Sequence, residues 1–215
     1  MAASWWNNLV RSIQSLFGLD NYQEVALLGA FPLNTKLGRV LKLEHCFEEV
    51  SPTDSLMVYL REDLPCALVT FVGIGSHSGF LVSEVSESSR KVLPESWWRA
   101  PSFDVSLFLF SCFSADYLRE SDVLRHSRGA ICYEGKIMLS MDDSEYWTWF
   151  VGELRGSLRR CGRVGSRAYA EMQRQYSKAI LGEAQPEELG LSYLIRICLV
   201  SQSERIRFLR GAGGI

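Results

Sequence analysis

Two stretches of this sequence leave little choice of environment. Residues 67–74 (Ala-Leu-Val-Thr-Phe-Val-Gly-Ile) and 105–110 (Val-Ser-Leu-Phe-Leu-Phe) are short, rich in β-branched and aromatic side chains, and have no polar face. A strand with one wet side alternates polar and apolar residues, whereas a strand apolar on both sides belongs in the middle of a parallel sheet covered by helices. Glu24–Gly29 and Ala130–Tyr133 read as further core strands, and the apolar run Tyr193–Val200 reads as the last one.

Helical patterns fall between these strands. Ser51-Pro52-Thr53-Asp54 offers an N-cap serine, a proline at the first helical position and an acid three residues after the cap, which predicts a helix over 54–61. A helix through Leu118 and Val123 should follow the second strand. Asp142 or Asp143 should cap an amphipathic helix carrying Trp147, Phe150, Val151, Leu154 and Leu158, and 166–181 places Tyr169, Met172, Tyr176 and Ile180 on one face. The stretch 36–50 is ambiguous. Alternating strands and helices predict an α/β fold of three layers, a mostly parallel sheet with helices on both faces. At 215 residues and 47% apolar content the chain can bury one full core. We expect a single domain over residues 21–210 and a flexible glycine-rich tail over 211–215. Ahead of them, within residues 1–20, an amphipathic helix is expected with Trp5, Trp6, Leu9, Val10, Ile13, Leu16 and Phe17 on one stripe. That helix suits docking on the core, with a partner or a membrane surface as the alternative.

A formal net charge of -2 gives no global pull toward nucleic acid or anionic lipid. The arginines at 155, 159, 160, 163 and 167 form a local basic face near a helix end, where cations are usually just solvated, and no nucleic-acid recognition motif accompanies them. Six cysteines are dispersed without a C-x-x-C pair, which favours reduced thiols and a cytoplasmic setting. The three histidines complete no metal-ligand spacing with them, so neither a metal nor a cofactor is expected. No secretory signal and no membrane-spanning run is legible, and a soluble protein is expected.

The chemistry gathers where the two central strands end. The first runs into Ser76-His77-Ser78-Gly79 and the second into Ser111-Cys112-Phe113-Ser114-Ala115. Functional groups of an open α/β sheet collect beyond the carboxyl ends of its strands, and neighbouring strands lie about 4.8 Å apart, so His77 and Cys112 can meet. A nearby imidazole takes the thiol proton and later returns it to a leaving amine. Backbone N–H groups of Ser78, Gly79 and Cys112 are candidates for binding an oxyanion.

Residues 69–79 (V-T-F-V-G-I-G-S-H-S-G) and 106–115 (S-L-F-L-F-S-C-F-S-A) resemble the two signature strands of caspase-like cysteine peptidases, most of all the CHAT (caspase and tetratricopeptide-associated) branch. Residues 127–135, the Trp/Phe-rich helix and Gly165 before the next helix are similar to that family's C-terminal half, so the likeness runs over roughly 24–200. It implies hydrolysis of a protein or peptide substrate through a thioester, with His77 as general base and acid and Cys112 as nucleophile. The oxyanion hole would be the N–H groups of Ser78 or Gly79 and of Cys112. It also implies a separate regulatory or sensor protein, as in bacterial conflict and antiviral defence systems. Ser78 stands where the family has glycine, and Ser111 where it has a smaller residue.

Other readings stay open. Trp97 and Trp98 suit a substrate pocket or the core, and Asp116 suits a basic substrate group or the dipole of the helix it begins. A catalytically inactive caspase-like module that binds a partner protein, through the N-terminal helix or the 80–103 loop, is the rival to a peptidase. A thiol hydrolase acting on a small molecule would need an enclosed pocket over Cys112.

Overall fold

The computed structural model describes residues 22–30, 36–64, 66–83, 90–101, 104–183 and 185–212; the helix expected within residues 1–20 lies outside them. The chain forms β1 (Tyr22–Leu28), α1 (Lys36–Glu44), β2 (Glu48–Glu49), β3 (Cys66–Val72), β4 (Gly75–Ser76), β5 (Gly79–Ser83), β6 (Arg90–Val92), β7 (Asp104–Phe110), α2 (Ser114–Glu120), β8 (Gly129–Tyr133), α3 (Ser144–Cys161), α4 (Ser166–Leu181), α5 (Tyr193–Arg205) and β9 (Ile206–Arg210).

Six strands make the central sheet in the order β2-β1-β3-β7-β8-β9, parallel throughout except for the last pair. The α/β reading therefore holds, and the architecture is compatible with the three-layer arrangement the family resemblance implies. Because side chains alternate across a strand, each central strand feeds two cores. Leu68 and Val72 of β3 with Phe108 and Phe110 of β7 pack against α1, α3, α4 and α5. Val69 and Phe71 with Leu107 and Leu109 pack on the opposite face, against α2, a three-stranded sheet of order β4-β5-β6, and short 3-10 turns. Neither face of these strands sees water, and the polar side chains within them, Thr70 and Ser106, are themselves buried.

Two expectations need correction. The capping pattern at Ser51 does not start an α-helix: Ser51 Oγ accepts from Thr53 N–H at 3.3 Å, closing a local turn, and only a four-residue 3-10 turn, Leu56–Tyr59, follows. Tyr193–Val200 is helix α5, not a strand. Ser192 caps it by accepting from Ile195 N–H at 3.2 Å, and a short run that is apolar but for Arg196 has too little periodicity to separate helix from strand. Ile195, Cys198 and Leu199 face the core while Tyr193 and Leu194 stay exposed, which is why the run looked uniform. The last strand is β9. Beyond it Gly211 N–H donates to Arg128 O at 2.9 Å and Ala212 N–H to Leu124 O at 3.2 Å.

The basic face on α3 is not all solvated. Arg155 is 8% exposed; its guanidinium lies 4.8 Å over the Phe47 ring, donates to His45 O at 3.0 Å, and pairs with Glu24 of β1 at 2.7 Å. Arg159, more exposed, contacts the same carboxylate. This ties the helix layer to the sheet at its β1 side. Removing one partner of a buried pair strands a charge, at a cost of about 3–5 kcal/mol. Since Arg159 still faces Glu24, Arg155→Ala should cost about 3 kcal/mol, or roughly 6–12 °C in Tm for a domain of this size. Calorimetry checks this, and a fall under about 2 °C would show the pair to be dispensable.

Candidate active site

Strands β3 and β7 pair in register over their whole length, Cys66 opposite Asp104 through Val72 opposite Phe110, so they end side by side. Past Phe110 the chain turns sharply. Ser111 N–H donates to Leu109 O at 3.0 Å, and Phe113 adopts a left-handed backbone, φ 54 and ψ 15, before α2 begins at Ser114. A non-glycine residue there costs on the order of 1–3 kcal/mol, so the surroundings must enforce it.

They do so through Ser114. Its buried hydroxyl donates to Ser111 O at 2.8 Å and accepts from Tyr133 N–H at 2.9 Å, with Leu109 O at 3.3 Å and Tyr133 O at 3.4 Å also in reach. One hydroxyl thus knots the end of β7, the start of α2 and the end of β8. Phe113 N–H donates to Gly135 O at 2.7 Å, and Gly135 N–H is held by Asp116 Oδ2 at 3.0 Å. Cys112 sits half-buried on the outside of this knot.

The histidine arrives on a hairpin. Ser76 pairs with Gly79 across the two-residue turn His77-Ser78, and Ser76 Oγ steadies it through Ser78 Oγ at 2.9 Å and Gly79 O at 3.1 Å. Gly79, at φ 134, occupies a backbone region that only glycine enters freely. Gly75 lets the hairpin press down on the cysteine turn: a Cβ there would collide with Cys112 O and Ser111 Oγ. The exposed His77 ring comes to rest against the Phe113 ring, with centroids 4.1 Å apart.

The thiol has another partner. Cys112 Sγ donates to Ile137 O at 3.6 Å. Residues 134–140, which follow β8, cross the site as a strap, held by Glu134 N–H to Arg205 O at 2.9 Å and by Gln202 Nε2 to Met138 O at 2.6 Å. Nothing in the sequence marked this segment, because it has no regular structure and its anchors lie on α5, about sixty to seventy residues away. Ser114 had a weak signal, a serine two residues past the cysteine in an apolar setting.

The remaining candidates separate by burial. Trp97 and Trp98 are 1% and 3% exposed; they pack on each other, Trp98 also on Phe71 and Phe80 and Trp97 on Tyr59, and Trp97 Nε1 donates to Ser51 O at 3.3 Å. The structure thus places both indoles in the core. Asp116 is spent on Gly135 N–H and on Arg119 at 3.5 Å. Arg119 also binds Glu134 at 2.7 Å, and this bond, with a second from Arg207, holds the Glu134 carboxyl below its ordinary range. Among the described residues the N–H groups of Cys112 and Ser78 donate to no protein acceptor, unlike those of Ser111 and Phe113. Burial pushes the Cys132 thiol up to about 12 and raises those of Cys161 and Cys198. No group of three or more His, Cys, Asp or Glu side chains among the described residues is placed to hold a metal ion, and no described helix is long and apolar enough to cross a membrane.

No protein-family model matches the chain, and no curated protein matches it in sequence. The site therefore has to be judged on its geometry. Ser114→Ala should destabilise the fold by about 1–3 kcal/mol, because it leaves the buried Tyr133 N–H unpaired. Urea titration reads this as a lower midpoint at unchanged slope, and an unchanged midpoint would remove Ser114 from the knot.

Proposed function

We propose that this protein is a cysteine endopeptidase in which His77 and Cys112 act as a dyad on a protein substrate. The observation that carries the reading is the seating of the His77 hairpin on the Cys112 turn, through Gly75 against Cys112 O and His77 against Phe113. Both turns lie beyond the carboxyl ends of adjacent parallel strands, where α/β sheets build their sites.

In this reading His77 removes the thiol proton and Cys112 Sγ attacks the substrate carbonyl carbon. The Cys112 and Ser78 N–H groups receive the developing oxyanion. Collapse forms the thioester, and His77 protonates the departing amine; water, deprotonated by the same imidazole, then releases the acid. The dispersed cysteines suit a cytoplasmic protein.

The bond from Cys112 Sγ to Ile137 O means that the thiol must be released before it can react. That supports control by a partner sensor protein, the arrangement the resemblance implies for a bacterial defence system. The same bond is what favours the second reading, an inactive caspase-like interaction module.

Alkylation by iodoacetamide against pH, resolved by mass spectrometry, separates the two. For a dyad, Cys112 labels well below the ordinary thiol pKa of about 8.5, and His77→Ala abolishes the advantage. Exposed Cys46 serves as the reference, and buried Cys132, raised to about 12, should stay unlabelled at neutral pH. Labelling of Cys112 no faster than Cys46, and unaltered by His77→Ala, would remove the dyad from the isolated chain.

The ring contact gives a second test. Phe113→Gly suits the left-handed backbone at that position but removes the ring on which His77 rests. It should keep the fold while moving the Cys112 pH profile toward that of Cys46. An unshifted profile would mean that the ring does not hold the imidazole.

A further inference from the structure

Among the described residues the central sheet has an unfinished edge, remote from the thiol. β1 pairs with β3 along its full length, Tyr22 to Leu28, but on its other side β2 covers only Leu27 and Leu28. Leu28 O accepts from Val50 N–H across that side at 3.0 Å. Backbone polar groups point alternately to the two sides of a strand, so Tyr22, Glu24 and Ala26 direct theirs the same way. Glu48, opposite Leu27, engages the Ala26 carbonyl. The N–H and C=O of Tyr22 and of Glu24 and the N–H of Ala26 have no partner among the described residues.

These groups line a groove of about 730 Å³. One wall is Tyr59 and Arg61; the other is His45 with Arg155 and Arg159 of α3. The single carboxylate of Glu24 serves both Arg155 and Arg159, which leaves one positive charge in excess at the Tyr22 end. Gln23 cannot be recruited from the groove floor, since its side chain is committed to Arg61 N–H and O and to Leu64 O.

We propose that this groove receives an extended segment of a partner protein, which adds a strand beside Tyr22–Ala26 and places a carboxylate side chain against Arg159. Five residues of strand need about 17 Å, the length of the open edge. Main-chain bonds to Tyr22, Glu24 and Ala26 supply affinity, and the alternate side chains meet the two walls, which is how strand addition obtains specificity. The occupancy is independent of His77 and Cys112, and it offers the chain a partner site that leaves the thiol face open.

The test uses the full chain and an acetylated, amidated heptapeptide of alternating aspartate and valine as the probe. The expected result is saturable binding at sub-millimolar peptide, with amide exchange slowed at Tyr22, Glu24 and Ala26 by NMR. Arg159→Glu and Ala26→Pro should each weaken binding at least tenfold, the second by removing an outward N–H while the β1–β3 bonds stay. Circular dichroism and the Tm confirm that both variants fold. Absence of protection at these amides overturns the proposal, as does protection confined to the Cys112 strap. Amides already slow without peptide would also overturn it, assigning the edge to a second copy if dilution frees them and to residues 1–21 if only their deletion does.

Discussion

The pairing of β3 with β7, parallel and in register over seven residues, is the constraint on which the rest of the molecule depends. It aligns the ends of the two central strands, and so sets how far the histidine hairpin must reach to meet the cysteine turn. Both strands are apolar on two sides, so a slip of one residue would exchange the cores above and below the sheet and meet different partners on each. Register is therefore enforced by burial, and the position of the site follows from register.

Burial alone does not shape the site. The left-handed Phe113 between strand and helix is held by two hydrogen bonds, one that the Ser114 hydroxyl donates to Ser111 O and one that Phe113 N–H donates to Gly135 O. The same strap that supplies Gly135 O also supplies the Ile137 carbonyl that the thiol touches. Its anchors, Arg205 O and Gln202 Nε2, belong to α5, and Gln202 is itself bound within the core to the Tyr176 hydroxyl at 3.0 Å, which lies 2.7 Å from that of Tyr133. A buried polar network of this kind is satisfied as a unit. Helix α5, outside the site, therefore fixes the segment that lies on the thiol.

Reading the sequence worked best where local pattern and environment coincide. The strands at 66–72 and 104–110, the helix over 166–181 and the meeting of the His77 and Cys112 loops all follow from apolar runs and where they stop. It failed at Ser51, where the side chain closes a turn two residues on instead of capping a helix, and at Tyr193–Val200, where one face of a helix is apolar without being buried. The sequence pattern at Trp97 and Trp98 admitted a pocket or a core equally, since an indole suits either; packing of Trp97 against Tyr59 and of Trp98 against Phe71 and Phe80 decided it.

What the sequence determined by itself is the sheet's interior and the placing of His77 and Cys112 at its rim, because hydrophobic periodicity and strand ends are local properties of the chain. Tertiary structure alone decided which carbonyl faces the thiol, which ring supports the imidazole and which edge of β1 stays open among the described residues. Each of these depends on a contact between segments distant in the chain, Cys112 with Ile137, His77 with Phe113, and β1 with a β2 too short to cover it. No local pattern encodes such a contact, since its energy exists only once both partners have been brought together by the fold.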